Sequence, residues 1–328
     1  MKSSGIGGQA VMEGIMMRNG DKYSIAVRRQ NKDIDITVEE YRGILPGNKF
    51  IRLPFIRGIF NFIDSLVIGM KTLEHSSNLM EDETEEEPGR FEQFLTKIFG
   101  EKLEQVMTGL IMCLSILLAV GIFVLLPAWL GNLLGKVIKS RLLVNFLEGV
   151  LRIVIFILYV WGISFMEEIK RTYMYHGAEH KCINCIEHGL PLTVENVAKS
   201  SKEHKRCGTS FMLIVMVISV LVFMLVDTKT VLMRFVSRIL LIPVVAGISY
   251  EFLRLAGNSD HPLVNALSRP GLWLQGLTTA EPDAEMIEVG IAAVEAVFDW
   301  KKYERENFGI VFEEEASQTA ADEKEGTP

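Results

Sequence analysis

The amino-acid sequence predicts an α-helical integral membrane protein with about four transmembrane helices and a small cytosolic α+β cap. Three observations carry that reading. Mean hydropathy is +0.25 over 328 residues, whereas soluble domains usually sit below zero. From Gln105 to Gly135 there is no charged residue, and ~20 apolar residues suffice to cross ~30 Å of hydrocarbon as a helix. Residues 22–29 and 33–39 alternate around the polar Gln30–Asn31–Lys32, which is the period of a strand pair.

Charge sharpens the picture. The chain carries 34 Lys and Arg against 41 Asp and Glu, a net of −7. Residues 81–87 hold six of the acids, and residues 313–325 hold six more beside Lys324. The remaining body is mildly basic, with 33 bases against 29 acids. Composition excludes collagen-like, disulfide-scaffold and fully disordered classes. No long basic stripe points to nucleic acid as a partner.

Residues 1–50 read as a glycine-rich loop followed by a β-hairpin. Residues 1–20 hold no continuous apolar stretch of the signal-peptide kind. Gly5, Gly7 and Gly8 lack the GK[ST] and βαβ context of a phosphate loop. Residues 51–80 are an interfacial or amphipathic helix: Pro54–Leu73 sets Phe, Ile and Leu between Arg57, Asp64 and Lys71. Such a helix lies on the bilayer or packs as a core helix. Residues 81–104 are an acidic linker and lead-in.

Residues 105–256 form the membrane domain. Gly109–Trp129 and Cys207–Val226 are free of charge. Leu142–Met166 contains Glu148 and Arg152, four apart and so able to pair on one face. Val231–Ala256 carries Arg234 and Arg238 near its start, and Glu251 and Arg254 near its end. Its uncharged centre is only Ile239–Tyr250, so a core helix rivals a span there. Arg234, Arg238 and Arg254 read as snorkelling ends. Glu148, Arg152 and Glu251 are candidates for an internal polar network.

Four spans put the N-terminus, residues 167–206 and the C-terminus on one side. The 167–206 loop carries seven Lys and Arg against four in the opposite connections, which places it in the cytosol. Residues 257–312 continue there, with 269–275 as a turn and an amphipathic helix at Glu281–Asp299. Ile287, Ile291, Val294 and Phe298 make its apolar stripe, and Thr278 or Thr279 its cap. Residues 313–328 read as a disordered acidic tail.

The chemistry is concentrated in the 167–206 loop and its edge. Three of the four cysteines, Cys182, Cys185 and Cys207, lie within 26 residues, beside four of the six histidines. Cytosolic thiols stay reduced, so these are expected as thiols or metal thiolates. If the second span continues as a helix, His176 and His180 share a face four residues apart, a geometry for two imidazoles on one divalent metal, zinc first. His176-x-x-Glu179-His180 matches the H-x-x-E-H string of inverted zinc peptidases, with Glu179 activating a water. A third ligand is then His204, Glu187 or Glu195. The competing set is a closed structural zinc held by Cys182, Cys185, His204 and Cys207. The reading without metal leaves helix-end histidines and inert buried thiols.

GGQAVMEGIMMR (Gly7–Arg18), YHGAEHK (Tyr175–Lys181), LTVEN (Leu192–Asn196) and HKRCGTSF (His204–Phe211) together resemble the bacterial YqhQ family of membrane proteins. RLAGN (Arg254–Asn258) and PGLWLQGLTTAEP (Pro270–Pro282) extend the likeness over nearly the whole chain. The resemblance implies a metal-dependent enzyme in the bacterial inner membrane. It picks out Glu13, His176, Glu179, His180, Glu195, His204 and Cys207. Glu13 and Gln9 then become candidates to approach the same cytosolic site, a turn-stabilising role being the alternative.

The expectation for function is a metal-dependent membrane enzyme, most simply a hydrolase at the cytosolic surface. His176, His180 and His204 would bind metal, with Glu179 as base. Its partners would be the lipid bilayer and a lipid-linked molecule or peptide as substrate. The alternative is a non-catalytic scaffold or assembly factor with structural zinc. A transporter ranks third, since intramembrane acids are few.

Overall fold

In the computed structural model, residues 2–47, 51, 53–81, 103–226, 231–259, 261–310 and 312 are described. Residues 82–102 of the acidic linker and the 313–328 tail lie outside the described residues.

Near the N-terminus, alternation does what the pleat requires. Strands β1 (Gly7–Val11), β2 (Gly14–Asn19), β3 (Lys22–Arg28) and β4 (Ile34–Glu40) form one antiparallel sheet in chain order. The expected hairpin is β3–β4, with Ile25 opposite Thr37. The expected glycine-rich loop is instead a second hairpin, with Gln9 opposite Met16. Its turn residue Glu13 takes φ 48°. That conformation is the business of Asn or Gly in tight hairpins, so nothing in Met12–Glu13 announces it.

Both faces of the sheet are covered. Val11, Met16, Tyr23, Ile25 and Val27 meet Ile68 of helix α1 (Ile56–Glu81). Ile15, Met17 and Ala26, on the other face, join a core with Ala178, Cys182, Met286 and Val294. Those partners come from α5 (Glu167–Glu187) and α10 (Ala284–Glu295). The amphipathic C-terminal helix therefore packs on the hairpin and the His/Cys segment, as its stripe predicts. Its cap is Asp283, which accepts from Met286 N, rather than Thr278 or Thr279. Helix α11 (Trp300–Phe308) follows.

Among the described residues, three helices are long and apolar enough to cross a membrane, against the four expected. The first is Gly109–Val137, built from α2 (Leu103–Val120), a π-helical turn (Gly121–Leu125) and α3 (Leu126–Val137). The second is α4 (Arg141–Ile163), and the third is Val236–Gly257 within α8 (Val231–Asn258). Between them α7 (Gly208–Met224) is apolar but has 17 residues. At 1.5 Å per residue it reaches ~26 Å, short of ~30 Å of hydrocarbon. Cys207 is its cap and Leu225 its exit, which is where the charge-free run loses its length.

Buried charge sits between these helices. Glu148, 1% exposed, accepts from Arg152 at 3.2 Å and from Arg238 at 2.9 Å. Arg152 Nε also donates to Phe123 O in the π-helical turn. Arg238 therefore does not snorkel. Glu251 belongs elsewhere, accepting from Arg57 Nε at 2.7 Å at the start of α1.

The 167–206 segment is mostly helical, as the His176/His180 spacing requires, but not a continuation of the second span. Helix α4 stops at Ile163, and α5 starts afresh at Glu167 after a short turn. Residues 175–187 of α5 are buried except for His176. A short helix α6 (Val194–Lys199) brings the chain back. The expected 269–275 turn lies inside α9 (Pro262–Thr278).

Candidate metal centre

Helix α5 supplies two faces, and its residues divide between them. At ~100° per residue, His176, His180, Asn184 and Glu187 stand on one side, while Cys182 and Cys185 fall on the far side. Each member of the first face grips the returning chain. His180 Nδ1 lies 2.6 Å from Lys202 O. Asn184 Nδ2 donates to Ser201 O and Glu203 O. Beside them, Lys181 Nζ donates to Ala198 O and Ser200 O. This row holds residues 198–206 alongside α5 and delivers Cys207 to His176.

The result is one compact donor set. His176, His180 and Cys207 offer ligand atoms within 4.8 Å of one another. His176 Nε2 is 3.2 Å from Cys207 Sγ, and the two imidazole centroids are 4.4 Å apart. A carbonyl oxygen only accepts, so His176 Nδ1, 2.9 Å from Thr278 O, and His180 Nδ1 carry the protons. Both Nε2 lone pairs are left unprotonated, that of His176 facing Cys207 Sγ, the orientation that backbone carbonyls impose on metal-binding histidines. Cys207 caps α7, with Sγ accepting from Thr209 N at 3.4 Å, and a helix N-terminus favours negative charge there. Zn–N bonds of ~2.0 Å and Zn–S bonds of ~2.3 Å place paired ligands within ~4.5 Å. The set therefore fits a divalent ion after small side-chain movement.

Glu179 is the acid beside it. It is 4% exposed, and its Oε2 lies 3.9 Å from His176 Nε2 and 3.8 Å from His180 Nε2. Burial raises its carboxyl above the usual carboxylate range, opposed by His176 and by a hydrogen bond from Gly8 N–H. Gly8 is glycine for a steric reason: an added Cβ would stand 2.8 Å from Glu179 Cγ and 2.7 Å from Met16 O. Gly177, in mid-helix, answers the same need, because a Cβ there would meet Ala280 O at 2.1 Å.

The other expected site residues lie apart. Cys182 and Cys185 are fully buried in the core shared with the sheet and α10. Burial raises the Cys182 thiol well above its ordinary range, and pushes Cys185 up to about 11 against a Ser200 hydrogen bond. Cys185 Sγ donates to Leu190 O. The four-ligand zinc set is thus not gathered, because a helix runs through both cysteines and turns them away. His204, 4% exposed, sits 5.8 Å from the His180 ring but engages Glu187 at 3.4 Å. Burial alone would raise Glu187, yet hydrogen bonds from His204 and Ser4, with Arg206 nearby, hold it down at about 2.

Glu13 does not reach the donor set either. It accepts from Arg171 Nε at 2.6 Å and from Tyr175 Oη at 3.3 Å, which is the turn-stabilising role. Gln9 lies against Gly69 of α1, and Glu195 pairs with Lys199 on the surface. Sequence reasoning missed Gln275, whose amide accepts from His204 N and donates to His204 O and Ser210 Oγ. It pins the bend before Cys207. No charge or spacing marks it, since its partners are mostly backbone.

Comparison with known proteins places the chain without assigning it chemistry. No solved structure matches it. It is 37% identical over 287 residues to the uncharacterized protein YqhQ of Bacillus subtilis (strain 168), covering 87% of this chain and 89% of that protein. The family described as "Protein of unknown function (DUF1385)" matches residues 53–300. By that match and that identity, the chain belongs to the DUF1385 family of YqhQ-like proteins.

Proposed function

We propose that this chain is a metal-dependent membrane enzyme, most simply a hydrolase, with His176, His180 and Cys207 holding a divalent ion, zinc first. The observation that carries the reading is the convergence of two oriented Nε2 atoms and one thiol beside a buried acid. Three protein ligands leave a fourth position open, the pattern of catalytic rather than structural zinc. A divalent ion held by His176, His180 and Cys207 would supply Lewis-acid activation of water near neutral pH. Glu179 Oε2, 3.9 Å and 3.8 Å from the two Nε2 atoms, is the atom placed to take and return a proton as general base. Gly8 N–H holds the carboxylate in place. His176, 13% exposed at its side chain, leaves the centre an approach from outside.

The reading puts this centre at a membrane surface. Leu274 packs with Phe156, Val160 and Leu213. The adjacent Trp161 and Trp273 are both more than half exposed, in the manner of an interfacial aromatic belt. Thr278, which orients His176, is one turn beyond Leu274 on the same helix.

The test is metal analysis of purified protein with activity read as complementation of a deletion strain. Wild type should carry one divalent ion per chain, and His176→Ala should lose it. Glu179→Gln should keep the ion and fail to complement. A Glu179→Gln protein that complements fully removes the catalytic reading and leaves a scaffold.

A further inference from the structure

A cavity of about 380 Å³ lies among α1, α4, α7 and α8. Its wall includes Phe62 of α1, Phe156 of α4, Phe211, Met216 and Phe223 of α7, and Val245 of α8. The single hydroxyl in the lining, Ser219, is turned onto Met216 O of its own helix. The cavity offers an occupant no hydrogen bond and no charge, only apolar surface.

Its two ends are marked by chemistry. Phe211 is one helical turn from Cys207, to whose carbonyl its N–H is bonded, and its ring meets Phe62 at 5.9 Å. At the far end the Phe223 ring lies 5.6 Å from the Arg238 guanidinium, which is tied to Glu148. From Phe211 to Phe223 the helix rises ~18 Å. One leaflet of a ~30 Å hydrocarbon core is ~15 Å deep, so the cavity has the length of one acyl chain. Met212 and Ile242 line it and are 45% and 58% exposed, which opens its flank to the surroundings.

We propose that this cavity takes one acyl chain of a membrane lipid, and so sets the lipid's polar end beside His176, His180 and Cys207. The second half rests on the metal-enzyme reading above; the first half stands on the cavity. The substrate class is then an acyl lipid rather than a peptide. A chain lying along α7 enters sideways from the leaflet, and its head emerges where α7 begins, at the capping Cys207. Binding energy comes from apolar burial, and the chain's length sets the register of the head against Glu179.

The experiment uses the full-length protein in vesicles containing phosphatidylglycerol with a diazirine midway along one acyl chain. After photolysis the labelled residues are mapped, and metal content is read on the same sample. Met216 and its cavity neighbours should be labelled about tenfold more than Leu114, Leu117 and Leu118, which are exposed on α2. Ala246→Phe, which narrows the cavity, should bring Met216 down to the level of those three. Leu158→Phe, on an exposed position of α4, should change nothing. Labelling no denser in the cavity than on α2 overturns the proposal, and so does crosslinking of the cavity to a second copy of the chain. The wild-type map decides even if Ala246→Phe does not fold. Cavity labelling in protein that holds no metal retains the lipid site and rejects the metal reading. Metal without cavity labelling does the reverse.

Discussion

At Gly8 a backbone N–H meets the Glu179 carboxylate, and the absence of a side chain lets β1 come that close. Gly8→Ala must push against Glu179 Cγ and Met16 O, both inside 3 Å of the new carbon. Overpacking of this kind costs about 1–3 kcal/mol. The variant should melt lower and keep its metal, because no ligand moves. It should fail to complement, because the acid is displaced; metal analysis and thermal unfolding of one preparation check both. Glu304 provides a pH-dependent case. It is fully buried, neither carboxylate oxygen has a hydrogen-bond partner among the described residues, and burial raises its pKa from 4.5 to about 7. The folded state binds the proton more tightly than the unfolded chain, so stability declines as pH rises from 4.5 to about 7. Glu304→Gln should raise Tm above that range and leave it unchanged below 4.5. Of the candidate centre, His176, Glu179 and His180 were legible in the sequence as one set, whereas Cys207 was read as a ligand of the rival zinc set and His204, Glu187 or Glu195 as the third donor. The orienting partners were not legible, because Thr278 O, Lys202 O and Gly8 N–H are backbone atoms that any residue type supplies.

Among the elements, α5 shows where spacing succeeds and where it misleads. Two histidines four apart are a metal signature on a helix, and two cysteines three apart are one in a loop. Residues 176–185 carry both. Only the continuation of α5 to Glu187 decides between them, by turning Cys182 and Cys185 into the core. Cys182→Ala and Cys185→Ala should therefore keep full metal content and lower Tm modestly, as small losses of buried volume do. Loss of metal in either would return the zinc set of four. The β1–β2 hairpin escaped for a different reason. Its turn holds Glu13 at positive φ, and the conformation is held by Arg171 and Tyr175, 158 and 162 residues further along. The β3–β4 hairpin carries its polar turn locally and was legible.

The whole molecule joins a polar centre to an apolar bundle through two kinds of buried charge. At the centre, Glu187, His204 and Arg206 tie the N-terminal Ser4 to the bend before Cys207. In the bundle, Glu148 pairs with Arg152 and Arg238 from two helices. Removing one partner of a buried pair costs about 3–5 kcal/mol, since the other charge is left uncompensated. Glu148→Leu should accordingly unfold at much lower temperature in detergent, and a variant as stable as wild type would show the network to be incidental. Hydropathy revealed the three long apolar helices. It overstated Gly208–Met224 because the charge-free run includes a cap and an exit as well as the helix.

The central claim is the ligand set, and X-ray absorption at the edge of the bound metal reads it directly in purified wild-type protein. Two imidazoles and one thiolate predict a single sulfur scatterer at ~2.3 Å with the remaining ligands nitrogen or oxygen at ~2.0 Å. A first shell with two or three sulfurs would put the metal on Cys182 and Cys185 and contradict the account. A protein prepared near neutral pH that binds no metal would contradict it as well.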